Sequence, residues 1–290
     1  MQEGFSCISF GNYLYWTYQA NQTIDLFYLI ESVIWVITFR KDIPMKIHGL
    51  TKLTLLDYPG HLACSVFTGS CNFRCPFCHN ASLVLTSDSC PVLSEEDFFS
   101  FLASRKGKLE GVCITGGEPT LQPDLPDFLK KIKAMGFLVK LDTNGSCPDL
   151  LEKLIAQHLL DMVAMDIKNS RETYAKTAGL SETFVPLIHI EESICLLLST
   201  KITHEFRTTV TKELHCVESI QQMGEWLLGL SRQTTGQAVL SSPYFLQNFK
   251  DSGQLLCNQA DYFHPVESAA LQQFLQVLKP VVPLIKLRGQ

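Results

Sequence analysis

This sequence has no excess of positive charge, no long apolar run and no stretch with the pattern of a secretory signal. Its 24 lysines and arginines are outnumbered by 29 aspartates and glutamates, which gives a net charge of −5. A nucleic-acid-binding surface carries a basic excess, so this balance argues against one. The apolar run Ile24–Phe39 is short for a membrane span and is interrupted by Asp25 and Glu31. It also lacks the basic start and small-residue cleavage site of a secretory signal.

Internal repeats, low-complexity segments, a hydrolytic triad and a phosphate-binding loop are also missing from the sequence. The eleven cysteines are an odd number and are scattered, which favours a reducing cytoplasm over a disulfide framework. With 290 residues, of which 46% are apolar and 18% charged, the composition is globular. A chain of this length can bury one large core. We therefore expect a cytoplasmic globular protein.

Residues 1–44 differ in composition from the rest of the chain. They are rich in aromatic residues, and their only basic residues are Arg40 and Lys41. We expect them to be an N-terminal extension to a main domain at residues 45–290. Met45 is our preferred start of translation. The alternative is an amphipathic helix that packs on the core or on a membrane surface.

From Ala63 onward, short apolar runs rich in β-branched residues alternate with helical patterns, which predicts a parallel α/β sheet. The predicted strands are Ala63–Gly69, Gly111–Thr115, Phe137–Asp142, Met162–Ile167, Glu205–Val210 and Ala238–Ser242. One helix is predicted to begin after a capping box at Ser94. Further helices are predicted at Leu125–Met135, Leu150–Leu160, Glu191–Ser199, Glu218–Leu230 and Glu267–Leu278. Six such units predict a partial barrel or a doubly wound sheet. Both folds gather their chemistry beyond the carboxyl ends of the strands.

Cys71, Cys75 and Cys78 form a CxxxCxxC loop directly after the first of these strands. Iron–sulfur cubanes are usually held by four cysteines, so three on one loop would leave one iron open to a small molecule. Phe77, just before the third cysteine, would shield such a cluster from water. The alternatives are a zinc site completed by His79 or a distant cysteine, and a set of buried apolar thiols.

Polar motifs follow four further strands: Gly116-Gly117-Glu118-Pro119, Asp142-Thr143-Asn144-Gly145, Asp166-Ile167-Lys168 and Arg207. Glycines allow a close backbone approach to a ligand, and Glu118 offers acceptors to an ammonium group. Asp142 would suit a ribose or a bound cation, and Arg207 a ligand carboxylate. The alternatives are plain turns for the glycine motifs and ion pairs for Asp166 and Lys168. Because five strand ends meet at one rim, we predict a single site.

From Lys46 to its end, the sequence resembles the radical S-adenosylmethionine (SAM) glycyl-radical-enzyme activating proteins. Within that group it is most similar to those that activate anaerobic ribonucleoside-triphosphate reductase. The resemblance is carried by Ile47-His48-Gly49, by Leu55–Gly60, by Phe67–Asn80 and by the GGEP, DTNG and DIK motifs. It implies a radical SAM domain at residues 45–290 with a partial (β/α)6 TIM-like barrel. It begins just after Met45, in agreement with the late start expected above.

The resemblance also implies roles for the motif residues. Cys71, Cys75 and Cys78 would bind one [4Fe-4S] cluster, whose fourth iron is chelated by the amino and carboxylate groups of SAM. Asp142, Thr143 and Asp166 are similar to a monovalent-cation site. The residues implied to contact SAM are Phe77, Cys78, His79, Gly116, Gly117, Glu118, Asp142, Thr143, Asn144, Asp166 and Lys168. The residues expected to act in catalysis are Lys168, Arg207 and Asp57, the last near the substrate glycine.

The implied activity is reductive cleavage of SAM to a 5′-deoxyadenosyl radical, which takes a hydrogen atom from the Cα of a glycine in a partner enzyme. Anaerobic ribonucleotide reductase is the expected partner, and a flavodoxin or ferredoxin the expected electron donor. The alternatives are a pyruvate formate-lyase activating enzyme and a small-molecule radical SAM enzyme such as a 7-carboxy-7-deazaguanine synthase. A non-catalytic iron–sulfur carrier is a further one.

Three features depart from the patterns of the activating proteins. No second cysteine cluster lies between Cys78 and Gly111, which disfavours activating enzymes with extra clusters. Residues 243–249 contain no histidine, whereas enzymes of the pyruvate formate-lyase type have one there that contacts SAM. Ser70 stands where a glycine usually precedes the first cysteine, and we expect this serine to be tolerated.

Overall fold

The computed structural model of the protein describes residues 45–181, 187–250, 255–257 and 262–288, and the backbone of residues 5–10 and 13–18. The chain forms two compact units, Met1–Ile43 and Pro44–Gln290. In the first unit, strands β1 (Phe5–Phe10) and β2 (Tyr13–Tyr18) pair antiparallel. The amphipathic helix considered for Ile24–Phe39 lies outside the described residues. The start at Met45 stays a prediction.

The second unit alternates strands and helices. Its strands are β3 (Ile47–Thr54), β4 (Ala63–Thr68), β5 (Gly111–Gly116), β6 (Leu138–Thr143), β7 (Met162–Asp166), β8 (Thr203–Val210), β9 (Tyr244–Asn248) and β10 (Ile285–Arg288). Its helices are α1 (Ala81–Leu85), α2 (Glu95–Ser104), α3 (Leu125–Ala134), α4 (Pro148–Ala156), α5 (Tyr174–Ala178), α6 (Leu187–Ser199), α7 (Val217–Thr235) and α8 (Ser268–Leu278). Of the helices in the described ranges, none is long and apolar enough to cross a membrane.

The strands of the second unit form an eight-stranded sheet in the strictly sequential order β3 to β10. β3 pairs antiparallel with β4, and all other neighbouring pairs are parallel. A doubly wound sheet reverses its strand order at a switch point, so the sequential order excludes that alternative. Right-handed connections between sequential strands place the crossover helices on one face, and α4, α6, α7 and α8 pack against one another in succession. The fold is therefore an open, barrel-like α/β sheet.

Local sequence signals account for the helices of this sheet. Ser94 caps α2, since its Oγ accepts a hydrogen bond from Asp97 N at 3.0 Å. In α3, the apolar residues recur at helical spacing and are at most 1% exposed: Leu125, Phe128, Leu129 and Ile132. Burying one such side chain contributes about 1.5–3 kcal/mol. Packing against the sheet therefore holds these helices more strongly than their intrinsic propensity does.

Five of the six predicted strands are present, and the sixth was misplaced. The predicted strand Ala238–Ser242 is not a strand, and β9 lies instead at Tyr244–Asn248. The cause is the end of α7, where Gly236 adopts a left-handed conformation with φ +71° and the chain then turns before it enters the sheet. Sequence patterns also missed β3 and β10, the two edge strands, because neither has a buried alternating pattern.

A small apolar cluster lies at the amino-terminal end of the parallel strands. It consists of Tyr58, Ala63 and Met162, with Leu138 packed against it. Three of these residues are the first of β4, β6 and β7, and a side chain at Gly111, which begins β5, would contact the Tyr58 ring at 2.8 Å. The segment around Tyr58 thus covers this end of the sheet. The polar motifs lie at the opposite end.

Candidate functional site

One cavity at the carboxyl ends of β4 to β8 brings together nearly all of the predicted site residues. Its predicted lining residues are Cys71, Cys75, Phe77, Cys78, His79, Gly116, Gly117, Glu118, Asp142, Thr143, Asn144, Asp166, Lys168 and Arg207. Asp57 does not line this cavity. Its Oδ2 accepts a hydrogen bond from Ser65 Oγ in the middle of β4, so its role near a substrate glycine stays a prediction.

The three cysteines project from a loop whose backbone is held at several points. Cys78 N donates to Cys75 O at 3.0 Å, which closes a turn between two of the thiols. The loop is also bound by distant segments, because Arg74 N donates to Ala178 O at 2.9 Å and Leu256 N donates to Cys78 O at 3.1 Å. These bonds hold the backbone from which the three thiols project.

Two of the three thiols, Cys71 and Cys75, lie in buried surroundings that oppose a free thiolate. Burial raises the pKa of Cys71 to about 11 and that of Cys75 to about 12, so both carry protons at neutral pH unless an electrophile replaces them. A single zinc ion needs all its sulfur ligands within about 2.3 Å. The described residues contain no group of three or more His, Cys, Asp and Glu side chains placed to hold one metal ion. In a cubane each cysteine binds a different iron, so its three thiols need not converge on one ion; the zinc site stays the alternative.

The two glycines of the GGEP motif are required by close packing against the cysteine loop. A Cβ at Gly116, which has φ +116°, would collide with the backbone of Thr68, and one at Gly117 would collide with Ser70 O. Gly117 N donates to Thr68 O at 2.9 Å, and Glu118 N donates to Ser70 O at 2.8 Å. The motif is thus more than a turn, because it joins the loop after β5 to the loop after β4.

Ser70 adopts φ +62°, which lies in the left-handed region that favours glycine. Serine is tolerated here at a cost of about 1–2 kcal/mol relative to the right-handed region. Its backbone N donates to Leu83 O at 2.8 Å, and its Oγ lies 3.3 Å from Ser87 Oγ. These contacts with the segment that contains α1 account for how a serine occupies this position.

Glu118 is 1% exposed and connects the loops after β5 and β6. Its Oε1 accepts hydrogen bonds from Thr120 N at 3.1 Å, Thr120 Oγ1 at 2.6 Å and Thr143 Oγ1 at 2.8 Å. Its Oε2 accepts one from Asn144 N at 2.7 Å. Burial raises the pKa of Glu118, and these hydrogen bonds oppose that shift. Because a carboxylate has about four acceptor positions and Oε2 uses one of its two, an ammonium group can still bind there.

Asn144 lies between Glu118 and the cysteine loop. Its Nδ2 donates to Asn72 Oδ1 at 2.9 Å and lies 3.9 Å from Cys71 Sγ. An amide donor near a cluster thiolate is the type of outer contact that tunes a metal site. Sequence reasoning included Asn144 as part of the DTNG motif but missed Asn72, which is hidden between two of the cysteines.

Arg207 was expected to need a ligand carboxylate, and this expectation is corrected by the structure. Its Nε donates to Asp166 Oδ1 at 2.8 Å, and its Nη1 lies 3.3 Å from Asp142 Oδ2. Lys168 Nζ donates to Asp166 Oδ2 at 3.2 Å, so Asp166 and Lys168 form the ion pair that their spacing also allowed. Although burial raises the pKa of Asp166, Arg207 and Lys168 hold it at about 2. The wall of the cavity thus carries charges that already compensate one another.

Several lining residues were missed by sequence reasoning. Asn80 Nδ2 donates to Gly116 O at 2.9 Å, and Thr115 and Thr209 line the same cavity. The period of two along a strand could have indicated Thr209, which lies two residues after Arg207 in β8. No pattern in the sequence indicates that Asn80 reaches the GGEP backbone. His79 stacks on Phe249, with ring centroids 5.1 Å apart.

His215 is a buried histidine that contacts the backbone on both sides of β8, at Lys168 and Thr211. Its Nδ1 accepts a hydrogen bond from Thr211 N at 3.1 Å, and its Nε2 lies 3.0 Å from the carbonyl oxygen of Lys168. Burial lowers the pKa of His215 from 6.5 to about 4. Between these values the unfolded chain binds a proton that the folded chain does not. We therefore expect the free energy of unfolding to fall by about 3 kcal/mol as the pH drops from 6.5 to 4.

Urea unfolding of the protein and of His215→Gln across this range would test the prediction. A glutamine offers one acceptor and one donor with a spacing similar to that of the imidazole nitrogens, but it does not titrate. The difference in unfolding free energy between the two proteins should therefore change between pH 6.5 and 4 and stay constant above pH 7. A difference that does not vary with pH would show that His215 does not titrate in this range.

Comparison with known proteins gives consistent results. Residues 65–185 match the family profile of the radical SAM superfamily. A protein of Methanocaldococcus jannaschii named as a glycyl-radical enzyme activating enzyme is 31% identical over 62% of this chain and 74% of its own length. A pyruvate formate-lyase-activating enzyme of Listeria monocytogenes is 32% identical over 42% of this chain and 53% of its own length. A Thermococcus kodakarensis protein named as a GTP 3′,8-cyclase is 32% identical over 47% of this chain and 44% of its own length.

Among solved structures, a radical SAM methyltransferase from Sphaerobacter thermophilus superposes with a TM-score of 0.59. It is 16% identical, and the superposition covers 80% of this chain and 67% of the methyltransferase chain. At this identity the likeness shows a shared fold. Apart from the M. jannaschii protein, the chain spans about half the length of the relatives described here.

Proposed function

Because the chain belongs to the radical SAM superfamily, we propose that it is an activating enzyme that generates a glycyl radical on a partner enzyme. The assignment to this superfamily rests on the match over residues 65–185 and on the M. jannaschii relative, which is 31% identical over 74% of its own length. The activating role is supported by the names of two of the three relatives described above. It also agrees with the resemblance carried by Leu55–Gly60 and Phe67–Asn80.

The observation that carries the proposal is the meeting of three unbridged thiols and the GGE backbone in one cavity. Cys71, Cys75 and Cys78 would hold a [4Fe-4S] cluster, and among the described residues the cavity lining offers no fourth cysteine. When bound, such a cluster would supply the electron for reductive cleavage of SAM. The Cys71 and Cys75 thiols give up their protons when they bind iron, which offsets the burial that otherwise holds those protons in place.

The remaining lining residues would bind and orient SAM beside the thiols. The free acceptor position of Glu118 Oε2 suits the methionyl ammonium group. Lys168 uses one of its three donors on Asp166, so two can serve the methionyl carboxylate. His79 lines the cavity and is stacked on the buried ring of Phe249, so its other face suits the adenine. Apolar Phe73, Phe77 and Val84 line the same cavity and would keep water from the reacting atoms.

The partner and the electron donor are part of the proposal. Anaerobic ribonucleoside-triphosphate reductase is the proposed partner, and a pyruvate formate-lyase is the alternative. A flavodoxin or ferredoxin would reduce the cluster. The similarity to a protein named as a GTP 3′,8-cyclase favours, as a second candidate, a radical reaction on a small molecule. The 7-carboxy-7-deazaguanine synthases named from the sequence belong to the same class.

Anaerobic, reduced protein should be mixed with SAM and with each candidate glycyl radical enzyme, and the mixture examined by electron paramagnetic resonance. We expect a glycyl radical signal that requires both SAM and the partner. The same reaction without a partner should release little 5′-deoxyadenosine. Rapid SAM turnover with a small molecule, together with no radical on any glycyl radical enzyme, would favour the second candidate instead.

A further inference from the structure

Five charged side chains form an alternating row across the inner face of the sheet. They lie on β6, β7, the residues that follow β7, and β8: Lys140, Asp142, Asp166, Lys168 and Arg207. Each neighbouring pair in the order Lys140, Asp142, Arg207, Asp166, Lys168 is an ion pair. The row contains three cations and two anions, so its net charge is positive.

Lys140 is the member of this row that SAM binding does not explain. It is 1% exposed and does not line the cavity. Its Nζ contacts Asp142 Oδ1 and lies 3.8 Å from Cys113 Sγ. Burying a lysine is unfavourable unless its charge is paired, and Lys140 is paired with the carboxylate of Asp142. Lys140 and Asp142 are two residues apart on β6 and therefore point to the same face.

The same carboxylate belongs to the monovalent-cation site that the family resemblance implies, formed by Asp142, Thr143 and Asp166. Each oxygen of the two carboxylates already faces a cation of the chain. Asp142 meets Lys140 and Arg207, and Asp166 meets Arg207 and Lys168.

The third member of the implied set is also engaged. Thr143 Oγ1 donates to Glu118 Oε1 at 2.8 Å, and it accepts from Gly145 N at 3.1 Å. A cation needs several oxygen ligands with net negative charge. The donor set therefore does not fit a bound cation.

We infer that Lys140 and Arg207 take the place of the monovalent cation, so that this protein binds none at Asp142 and needs none for SAM binding. The lysine is a positioning residue. It fixes Asp142, which fixes Arg207 and through it Asp166 and the cavity residue Lys168. The inference depends on the interior charges and not on the identity of the radical acceptor.

Direct binding to the wild-type protein is the first test. Crystals of the cluster-loaded protein soaked in a thallium(I) salt, which mimics K⁺, should show no anomalous peak beside Asp142. SAM affinity should agree within about twofold among KCl, NaCl and choline chloride, each at about 0.1 M so that screening is equal. A thallium peak at Asp142, or a loss of affinity of about tenfold in choline chloride, would overturn the inference. The thallium result does not depend on any radical reaction.

Lys140→Met provides the complementary test. Without the Lys140 ammonium group, the negative charge of Asp142 is paired with Arg207 alone. We therefore expect this variant to melt at a lower temperature than the wild type in choline chloride. In KCl or NaCl its melting temperature should rise by several degrees, because an ion that binds only the folded state stabilises that state. In Lys140→Met/Asp142→Asn the acceptor is also removed, and we expect no salt preference. Lys130→Met, at an exposed lysine paired with Asp127, is the matched control. If Lys140→Met folds and its melting temperature depends on the choice of cation no more than that of the wild type, the inference is contradicted. If Lys140→Met does not fold, the thallium experiment on the wild-type protein decides.

Discussion

Cys75→Ala is expected to abolish both cluster assembly and SAM cleavage. Cys75 is 8% exposed and lies between two other thiols on a loop held at both ends. A variant with two ligands on this loop cannot hold the cubane at three irons, and the part of the cavity lining that the structure describes contains no other cysteine to replace the lost one. Iron and sulfide analysis of anaerobically reconstituted protein, paramagnetic resonance of the reduced sample and assay of 5′-deoxyadenosine would measure the effect.

Two other cysteine variants make this experiment specific. Cys195, on α6, lies outside the cavity, so Cys195→Ala should retain the cluster. Cys257 lies on the segment that binds the loop, where its backbone N donates to Pro76 O at 3.1 Å, yet it does not line the cavity. Cys257→Ala should also retain the cluster. A reducible cubane in Cys75→Ala, or its loss in Cys257→Ala, would show that the three ligands are wrongly assigned.

Glu118→Gln is expected to weaken SAM binding by about 100-fold, or about 3 kcal/mol, while the cluster remains. The glutamine keeps the shape of the side chain but removes the charge that pairs with the methionyl ammonium group. Its amide nitrogen must also face a donor, since Asn144 N and Thr120 N both donate to the carboxylate. That conflict should lower the free energy of unfolding by about 1–3 kcal/mol. Calorimetric titration of reconstituted protein with SAM would give the affinity.

Thr120→Val separates the charge of Glu118 from its hydrogen bonds. This variant loses the 2.6 Å hydrogen bond from Thr120 Oγ1 but retains the carboxylate. We expect it to lower stability by about 1 kcal/mol. Its effect on SAM affinity should be much smaller than that of Glu118→Gln. Equal losses of affinity in the two variants would mean that Glu118 acts only by holding the loops together.

The alternation of strands and helices could be predicted from the sequence because the parallel strands are buried and apolar throughout. β5 and β7 are of this kind, and their predicted bounds are close to the observed ones. β9 was misplaced because the turn after Gly236 carries apolar residues that imitate a strand. The predicted helix Leu150–Leu160 ends earlier, at Ala156, since His158 adopts φ +55°.

The candidate site was largely accessible from sequence because its residues stand next to the ends of strands. Parallel strands in sequential order bring those ends to one rim whatever the details of packing. Asp57 is the exception. It precedes β4, and no rule about strand ends places it, whereas the structure puts its carboxylate on Ser65.

The sequence by itself determined the chemistry of this protein: three thiols at a fixed spacing, a glycine pair and acidic and basic residues after successive strands. The order and spacing of these residues are properties of the covalent chain, and any fold with the strands side by side brings the residues after them together. Only the tertiary structure decided how the charges are shared, because ion pairs depend on distances between strands that no local pattern encodes. It paired Arg207 with two aspartates, buried Lys140 against Asp142, and filled most of the acceptor positions of Glu118 with donors from two loops.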